Sequence, residues 1–243
     1  MMTSRDRNLG IKAVDTLLDL YPSYRERIDI GTLDITDKSS ISKFRDSVVK
    51  KFSTVDVIVN NAGVAALKNF NIEVLENNFR TNFGGNIGFQ GAMTDLMADN
   101  GRIVYIGSAT ALDLLKKMDP SLKENFIRGN LTKTELLYWE QELYRSAKEK
   151  RTRKDGWPSS AYMLSKLFVM CWARAEAAEL KAAGKSVHVY SVCPGFCATD
   201  MTEWKPKKCS YEGASEIVWL FEKELKEAEN GKFWFNKKEM DIA

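Results

Sequence analysis

Three short apolar runs constrain this chain most: Val55-Asp56-Val57-Ile58-Val59, Arg102-Ile103-Val104-Tyr105-Ile106, and residues 186–192. Each is nearly continuous in its hydrophobicity, where a strand with one wet face would alternate. Longer amphipathic stretches separate them, at about 71–98 and about 159–183. Strand, helix, strand in that order predicts a parallel sheet covered by helices on both faces. In such a doubly wound parallel α/β sheet, ligands bind outside the carboxyl ends of the strands. Chemistry is therefore expected just past residues 60, 106 and 192.

The remaining elements fit the same rhythm. Ile11, Val14, Leu17 and Leu18 share a helical face, and residues 28–35 read as a strand ending in Leu33-Asp34-Ile35. Asp37 can cap a helix that carries Ile41, Phe44 and Val48 on one stripe. An amphipathic helix over about 211–228 precedes a final short strand, Phe233-Trp234-Phe235. The segment from about 111 to 157 breaks the pattern. Thr132 and Glu135 fit a capping box, and Leu136, Trp139 and Leu143 follow at helical spacing. It reads as a helical insertion within one domain spanning 1–243. Its basic end (Arg145, Lys148, Lys150, Arg151, Arg153 and Lys154) reads as a solvated helix terminus, since cations favour that end of a helix.

Composition excludes several classes. At 44% hydrophobic and 28% charged, the 243 residues are neither disordered nor fibrous. A net charge of +3 implies no nucleic-acid or membrane partner. The one histidine, His188, rules out a multi-histidine metal site and reads as a structural residue of an alternating strand. Cys171, Cys193, Cys197 and Cys209 form no Cys-x-x-Cys pair, which suggests a reduced, cytoplasmic protein. The first residues carry no apolar signal core, and no run of 18 apolar residues occurs.

Several residues fall at the ligand edge of the expected sheet. Asn60-Asn61-Ala62-Gly63 follows the first buried strand, Ser108 the second and Cys193-Pro194-Gly195 the third. Tyr162 and Lys166 lie four apart and share a helix face. With Asn82, this ordered set resembles the short-chain dehydrogenase/reductase family over essentially the whole chain. Its Rossmann-type fold is then expected. Most members place the tyrosine about a dozen residues after the serine, whereas here the two are 54 apart. That spacing, with Gly156-Trp157-Pro158-Ser159-Ser160-Ala161-Tyr162, resembles the NADPH-dependent carbonyl reductase branch, whose members are monomers. Leu33-Asp34-Ile35 and Pro194-Gly195-Phe196-Cys197-Ala198-Thr199-Asp200-Met201 are similar to that branch as well.

The resemblance implies a catalytic set. Tyr162 would give a proton to the carbonyl oxygen of a small substrate, and Ser108 would hold that oxygen by a hydrogen bond. Lys166, one turn away, would lower the Tyr162 pKa and bind the nicotinamide ribose. Asn82 would bend its helix and hold a proton-relay water. NADPH/NADP+ would meet Asp34 and Ile35 at the adenine, and Asn61, Ala62 and Gly63 along the adenine ribose. Pro194, Gly195 and Thr199 would reach the carboxamide and phosphates. Arg5 matches an arginine that follows the second strand in NADP-preferring members, and a guanidinium there suits a 2′-phosphate.

Other residues carry plainer readings. Cys193 and Cys197 read as small buried residues, while Phe196 and Trp204 line the substrate pocket or pack in the core. Gly84, Gly88 and Gly91 mimic a glycine fingerprint but read as close-packing positions inside a helix.

One family element is missing. The chain opens at what resembles the end of the second strand, and Gly10 alone precedes Gly31. The family's first strand, glycine-rich turn and helix, on the order of 30 residues, have no counterpart. The expected fold is thus N-terminally truncated, with an apolar gap beside two open strand edges and weakened cofactor affinity. Two functions follow from the resemblance: an NADPH-dependent reductase of ketones, aldehydes or quinones, or a catalytically silent short form that acts as a binding or structural subunit with an unknown partner.

Overall fold

A computed structural model describes residues 1–65 and 70–242. The chain starts with β1 (Met2–Ser4), α1 (Arg7–Leu20) and β2 (Ile30–Thr32). Then come α2 (Lys38–Lys51), β3 (Val55–Asn60), α3 (Ile72–Phe79) and α4 (Asn86–Met93). A π-helical turn, Arg80–Gly85, joins α3 to α4. β4 (Met97–Ile106) leads into α5 (Thr110–Leu115), α6 (Pro120–Ile127) and α7 (Lys133–Lys148). Last come α8 (Ala161–Ala182), β5 (His188–Cys193), α9 (Ser210–Glu222), β6 (Phe233–Phe235) and β7 (Lys238–Met240).

The strands form two sheets among the described residues. β1 and β2 pair in parallel, and β3-β4-β5-β6-β7 form a second sheet. All its pairings are parallel except β6–β7. β7 is therefore an antiparallel edge that the apolar-run pattern did not reveal, because Lys238-Glu239-Met240 is polar and half solvated.

Helices lie on both faces, as a doubly wound sheet requires. Ile103, Tyr105 and Val189 face α3 and α8, and Val104, Tyr190 and Val192 face the α9 side with Leu220. Ile58 packs with Phe44 and Val48 of α2 and Phe89 of α4. A Cβ added at Gly10 of α1 would touch Ile30, while one at Gly31 would strike Phe44. Neighbouring residues of a strand point to opposite faces, so α1 and α2 sandwich the small sheet.

Local chemistry explains the helix starts. Asp6 accepts from the Asn8 and Leu9 amides, and Asp37 from the Ser39 amide. Thr132 and Glu135 form the predicted capping box of α7, each side chain bonded to the other's backbone amide. The insertion docks through an aromatic cluster of Phe126, Trp139, Trp157 and Phe168. Beside it, Glu176 of α8 is buried and accepts from the Tyr105 hydroxyl at 2.7 Å, with Lys133 of α7 at 3.6 Å. Burial raises the Glu176 pKa, and Lys133 opposes that shift.

Several expected boundaries move. The 28–35 strand shortens to Ile30–Thr32, because Asp34 leaves the ladder to bond Thr36. The single helix expected over 71–98 is split by the π turn, and its last residues open β4. The helix expected to 228 stops at Glu222. Ile11, expected on the buried face of α1, is exposed, and of that stripe Leu18 alone is buried. The basic end of α7 is solvated and paired: Arg145 with Glu142, and Arg151 with Glu149.

The glycine reading also changes. Gly88 and Gly91 have open space where a Cβ would stand, and Gly84 has ordinary contact only. The close-packing position is Gly85, where a Cβ would lie 2.9 Å from the Ile35 side chain and 3.0 Å from its carbonyl oxygen. This contact seats the end of β2 against the π turn.

Candidate active site

Three parallel strands, β3 to β5, end on one side of the larger sheet, and the chain just past each end carries polar residues. Past β3, the Asn61-Ala62-Gly63 loop is tied to the helices behind it. Asn86 Nδ2 donates to the Ala62 carbonyl at 2.9 Å. Asn82, fully buried in the π turn, accepts from the Val64 amide at 2.7 Å. Its Nδ2 donates to the Val64 carbonyl and to Ser165 Oγ, both at 2.9 Å. The extra residue of a π turn lets Asn82 spend its side chain on the loop without breaking the helix. This is the helix irregularity expected at Asn82.

Past β4 stands Ser108, buried, with its hydroxyl 2.8 Å from Thr110 Oγ1. Ser108 is also near enough to the Tyr162 hydroxyl to pull its pKa down. Tyr162 and Lys166 project from the first turns of α8, which starts at a Ser160 cap. Lys166 is buried, and its Nζ donates to the Ile106 carbonyl at 2.7 Å. That ammonium lies 5.9 Å from the Tyr162 ring centre. A Cβ built on Gly63 would lie 3.2 Å from Asn82 Oδ1 and 3.6 Å from Lys166 Nζ. Tyr162, Ser108, Lys166, Asn82 and the Gly63 loop therefore converge.

Past β5, Gly195 takes a φ of +86°, a conformation that disfavours side chains. Its neighbour Lys208, paired with Glu216 at 3.6 Å, would lie 2.9 Å from a Cβ there. Pro194 and Thr199 are half-buried beside it, with the Thr199 amide donating to Thr202 Oγ1 at 3.1 Å. Cys193 and Cys197 are buried, as expected. Phe196 and Trp204 are 67% and 65% exposed, which removes the core-packing reading for both.

The electrostatics run in opposite directions at the two key groups. Burial raises the Tyr162 phenol above its ordinary value, and the Ser108 hydrogen bond pulls it back. Burial pushes Lys166 down to about 8. The expected depression of Tyr162 by Lys166 is not what dominates, because the ammonium points at the Ile106 carbonyl. Tyr162 is thus held protonated at neutral pH.

The residues expected at the adenine end lie past β1 and β2. Arg5 is exposed and acts electrostatically on Asp34. Hydrogen bonds from the Thr36 hydroxyl (2.7 Å) and amide (2.8 Å) hold Asp34 below the usual carboxylate range. The Ile35 side chain is buried against Gly85. Arg5 and Asp34 thus stand past the carboxyl ends of the smaller sheet, and the catalytic cluster past those of the larger one. Asn86, Thr110, Lys208 and the Ile106 carbonyl belong to the site but carried no sequence signal, since single polar residues acquire meaning only from their neighbours. Among the described residues, no cluster of three metal-ligating side chains occurs.

Residues 4–118 match the family described as short chain dehydrogenase. Human carbonyl reductase [NADPH] 1 is 32% identical over 228 residues, covering 90% of this chain and 80% of that protein. Salutaridine reductase from Papaver somniferum superposes with a TM-score of 0.83 at 24% identity, over 96% of this chain and 90% of its own. Menthone neomenthol reductase from Mentha piperita gives 0.79 at 21%, over 98% and 89%.

Proposed function

Because the chain belongs to the short-chain dehydrogenase/reductase family, we propose that it is an NADPH-dependent carbonyl reductase acting on a ketone, aldehyde or quinone. The observation that carries this reading is the convergence of Tyr162, Ser108 and buried Lys166 past the end of β4, with the Lys166 ammonium 5.9 Å from the Tyr162 ring centre and 2.7 Å from the Ile106 carbonyl. The carbonyl reductase relatives favour an enzyme over a silent subunit.

The residues present fit the nicotinamide end of the cofactor. Lys166 spends one donor on Ile106 and keeps two for ribose hydroxyls. Gly195, at a φ of +86°, turns the loop that carries Pro194 and Thr199, and the Lys208 ammonium beside it would suit a phosphate. Arg5, with Asp34, Ile35, Asn61, Ala62 and Gly63, would hold the adenosine end, the guanidinium meeting the 2′-phosphate. When bound, NADPH supplies the hydride.

The protein's part is proton and charge management. The substrate oxygen takes a hydrogen bond from Ser108, whose own hydroxyl is oriented by Thr110. Tyr162 gives its proton to that oxygen as the carbonyl carbon gains the hydride and its two electrons. The C=O bond becomes CH–OH, and the phenolate left on Tyr162 is stabilised by the Lys166 ammonium before a solvent proton restores it. Exposed Phe196 and Trp204, in the loop that follows Gly195, would meet the substrate. We read the enzyme as one domain, as a monomer because α7 packs on α8 through Lys133 and Glu176, and as cytoplasmic on its four free cysteines.

The test is consumption of NADPH by the purified 243-residue chain with a panel of aldehydes, ketones and quinones. Arg5→Ala should weaken NADPH binding at least tenfold in a fluorescence titration while leaving NADH binding unchanged, since a bidentate charged contact is worth about 1.5–3 kcal/mol. Equal losses for both cofactors would remove Arg5 from the phosphate site. No turnover of any carbonyl would remove the reductase reading.

A further inference from the structure

Glu176 is a buried acid ten residues along α8 from Lys166, about 15 Å at the helical rise. A carboxylate in such a place needs partners. One oxygen accepts from the Tyr105 hydroxyl of β4 at 2.7 Å. The other faces the Lys133 ammonium of α7 at 3.6 Å. That ammonium also meets Glu179 at 3.1 Å and stands 5.1 Å from the centre of the Trp172 ring. Tyr105 is itself fully buried, and the residue after it, Ile106, gives its carbonyl to Lys166 at 2.7 Å. The last β3–β4 pair is Asn60 with Tyr105, so the Ile106 carbonyl lies beyond that ladder.

Two polar ties therefore join α8 to β4. They leave from neighbouring residues of the strand and arrive about 15 Å apart on the helix. Such a pair is a brace: a slide of α8 along β4 that lengthens one tie crowds the other. Ser108 follows Ile106 by two residues, and Tyr162 precedes Lys166 by one turn of α8. We propose that Glu176, acting through Tyr105, is a positioning residue that sets Lys166 and Tyr162 against the Ile106 carbonyl and Ser108. The role rests on the reductase reading of that site. Burial and Cys193 are what act on the Lys166 ammonium, so Glu176 reaches it through the brace and not through its own charge. Lys133 supports the arrangement from α7. It opposes the burial that would neutralise Glu176, and a charged acceptor holds the Tyr105 hydroxyl more strongly than a neutral one. The inserted helix is thereby part of the frame that aligns the catalytic groups.

The test compares Tyr105→Phe, which removes one hydroxyl, with Glu176→Gln, which keeps an acceptor for that hydroxyl. Each is made with and without Lys166→Met, and Tm is followed against pH with no cofactor present. The pH at which a chain's profile leaves that of its Lys166→Met partner marks the loss of the Lys166 proton. In the parent that point lies near 8. In Tyr105→Phe it should fall by about 1 pH unit, because Lys166 stays buried while the carbonyl that favours its charged form is displaced. Glu176→Gln should restore the parent value. With NADPH and a carbonyl, the fall in rate at high pH should move in the same way. A Tyr105→Phe chain with a lower Tm but an unmoved point would make the tie merely structural and overturn the proposal. So would a Glu176→Gln chain displaced as far as Tyr105→Phe, since the acceptor would then not be what matters. A displaced point in a chain that reduces no carbonyl would leave the brace standing and count against the reductase.

Discussion

Tyr162→Phe should leave a folded chain that binds NADPH but reduces its carbonyl substrate about 10²–10⁴-fold more slowly, the usual worth of a positioned general acid. The variant loses one hydroxyl and leaves no buried partner stranded, because Ser108 keeps its 2.8 Å bond to Thr110. Stability should thus change little. The measurement is single-turnover NADPH oxidation beside a cofactor titration: a large fall in rate at unchanged affinity. A rate within tenfold of the parent would assign the proton to another group. Burial holds the Tyr162 pKa above its ordinary value, so the phenol puts no break in the rate at neutral pH, and the parent's rate should fall as Lys166 loses its proton near 8.

Lys166→Met should abolish activity and remove a pH dependence of stability. Lys166 titrates near 8 in the folded chain, against about 10.4 for an unfolded lysine. Between those values the unfolded state binds the extra proton, so folding stability rises with pH. Below about 8 both states are protonated and the whole cost of the buried ammonium is felt. Above about 10.4 neither is, and the cost has gone. The parent should therefore gain on the methionine variant by about 3 kcal/mol from pH 7 to pH 10.5. At roughly 2–4 °C per kcal/mol for a chain of this size, that is about 6–12 °C of Tm difference. Parallel Tm profiles for the two proteins would show that Lys166 titrates normally. The comparison is between slopes, so the lost hydrogen bond to Ile106, equal at each pH, does not disturb it.

Much of the site was legible because its residues sit where a parallel sheet must expose them. Ser108, Gly63 and Gly195 each follow a buried apolar run, and Tyr162 and Lys166 share a face by helical spacing. That order survives any error in the helix ends. The helix ends themselves were less legible. The polar residues of β4's first half hid its start, and β7 has no apolar run at all. The π turn at Arg80–Gly85 has no local signature, since its reason is Asn82's bonds to Val64 and Ser165, distant in sequence. Phe196 and Trp204 show the reverse failure. Large aromatic residues suggest a core, but a loop held by a positive-φ glycine turned them outward.

The split of the strands into two sheets also bears on how the molecule comes apart. β1, α1 and β2 share no ladder hydrogen bond with the larger sheet among the described residues. They hold to it through α2, by the cluster of Leu33, Ile35, Phe44 and Ile58 and by Arg45, which donates to the Ala92 carbonyl at 2.8 Å and pairs with Asp95. A unit joined by one apolar seam opens at lower free energy than a core crossed by continuous ladders. The first 35 residues then form a separate cooperative block. Calorimetry of the free chain would show a small early transition ahead of the main one, and the van't Hoff enthalpy of the whole would fall short of the heat absorbed.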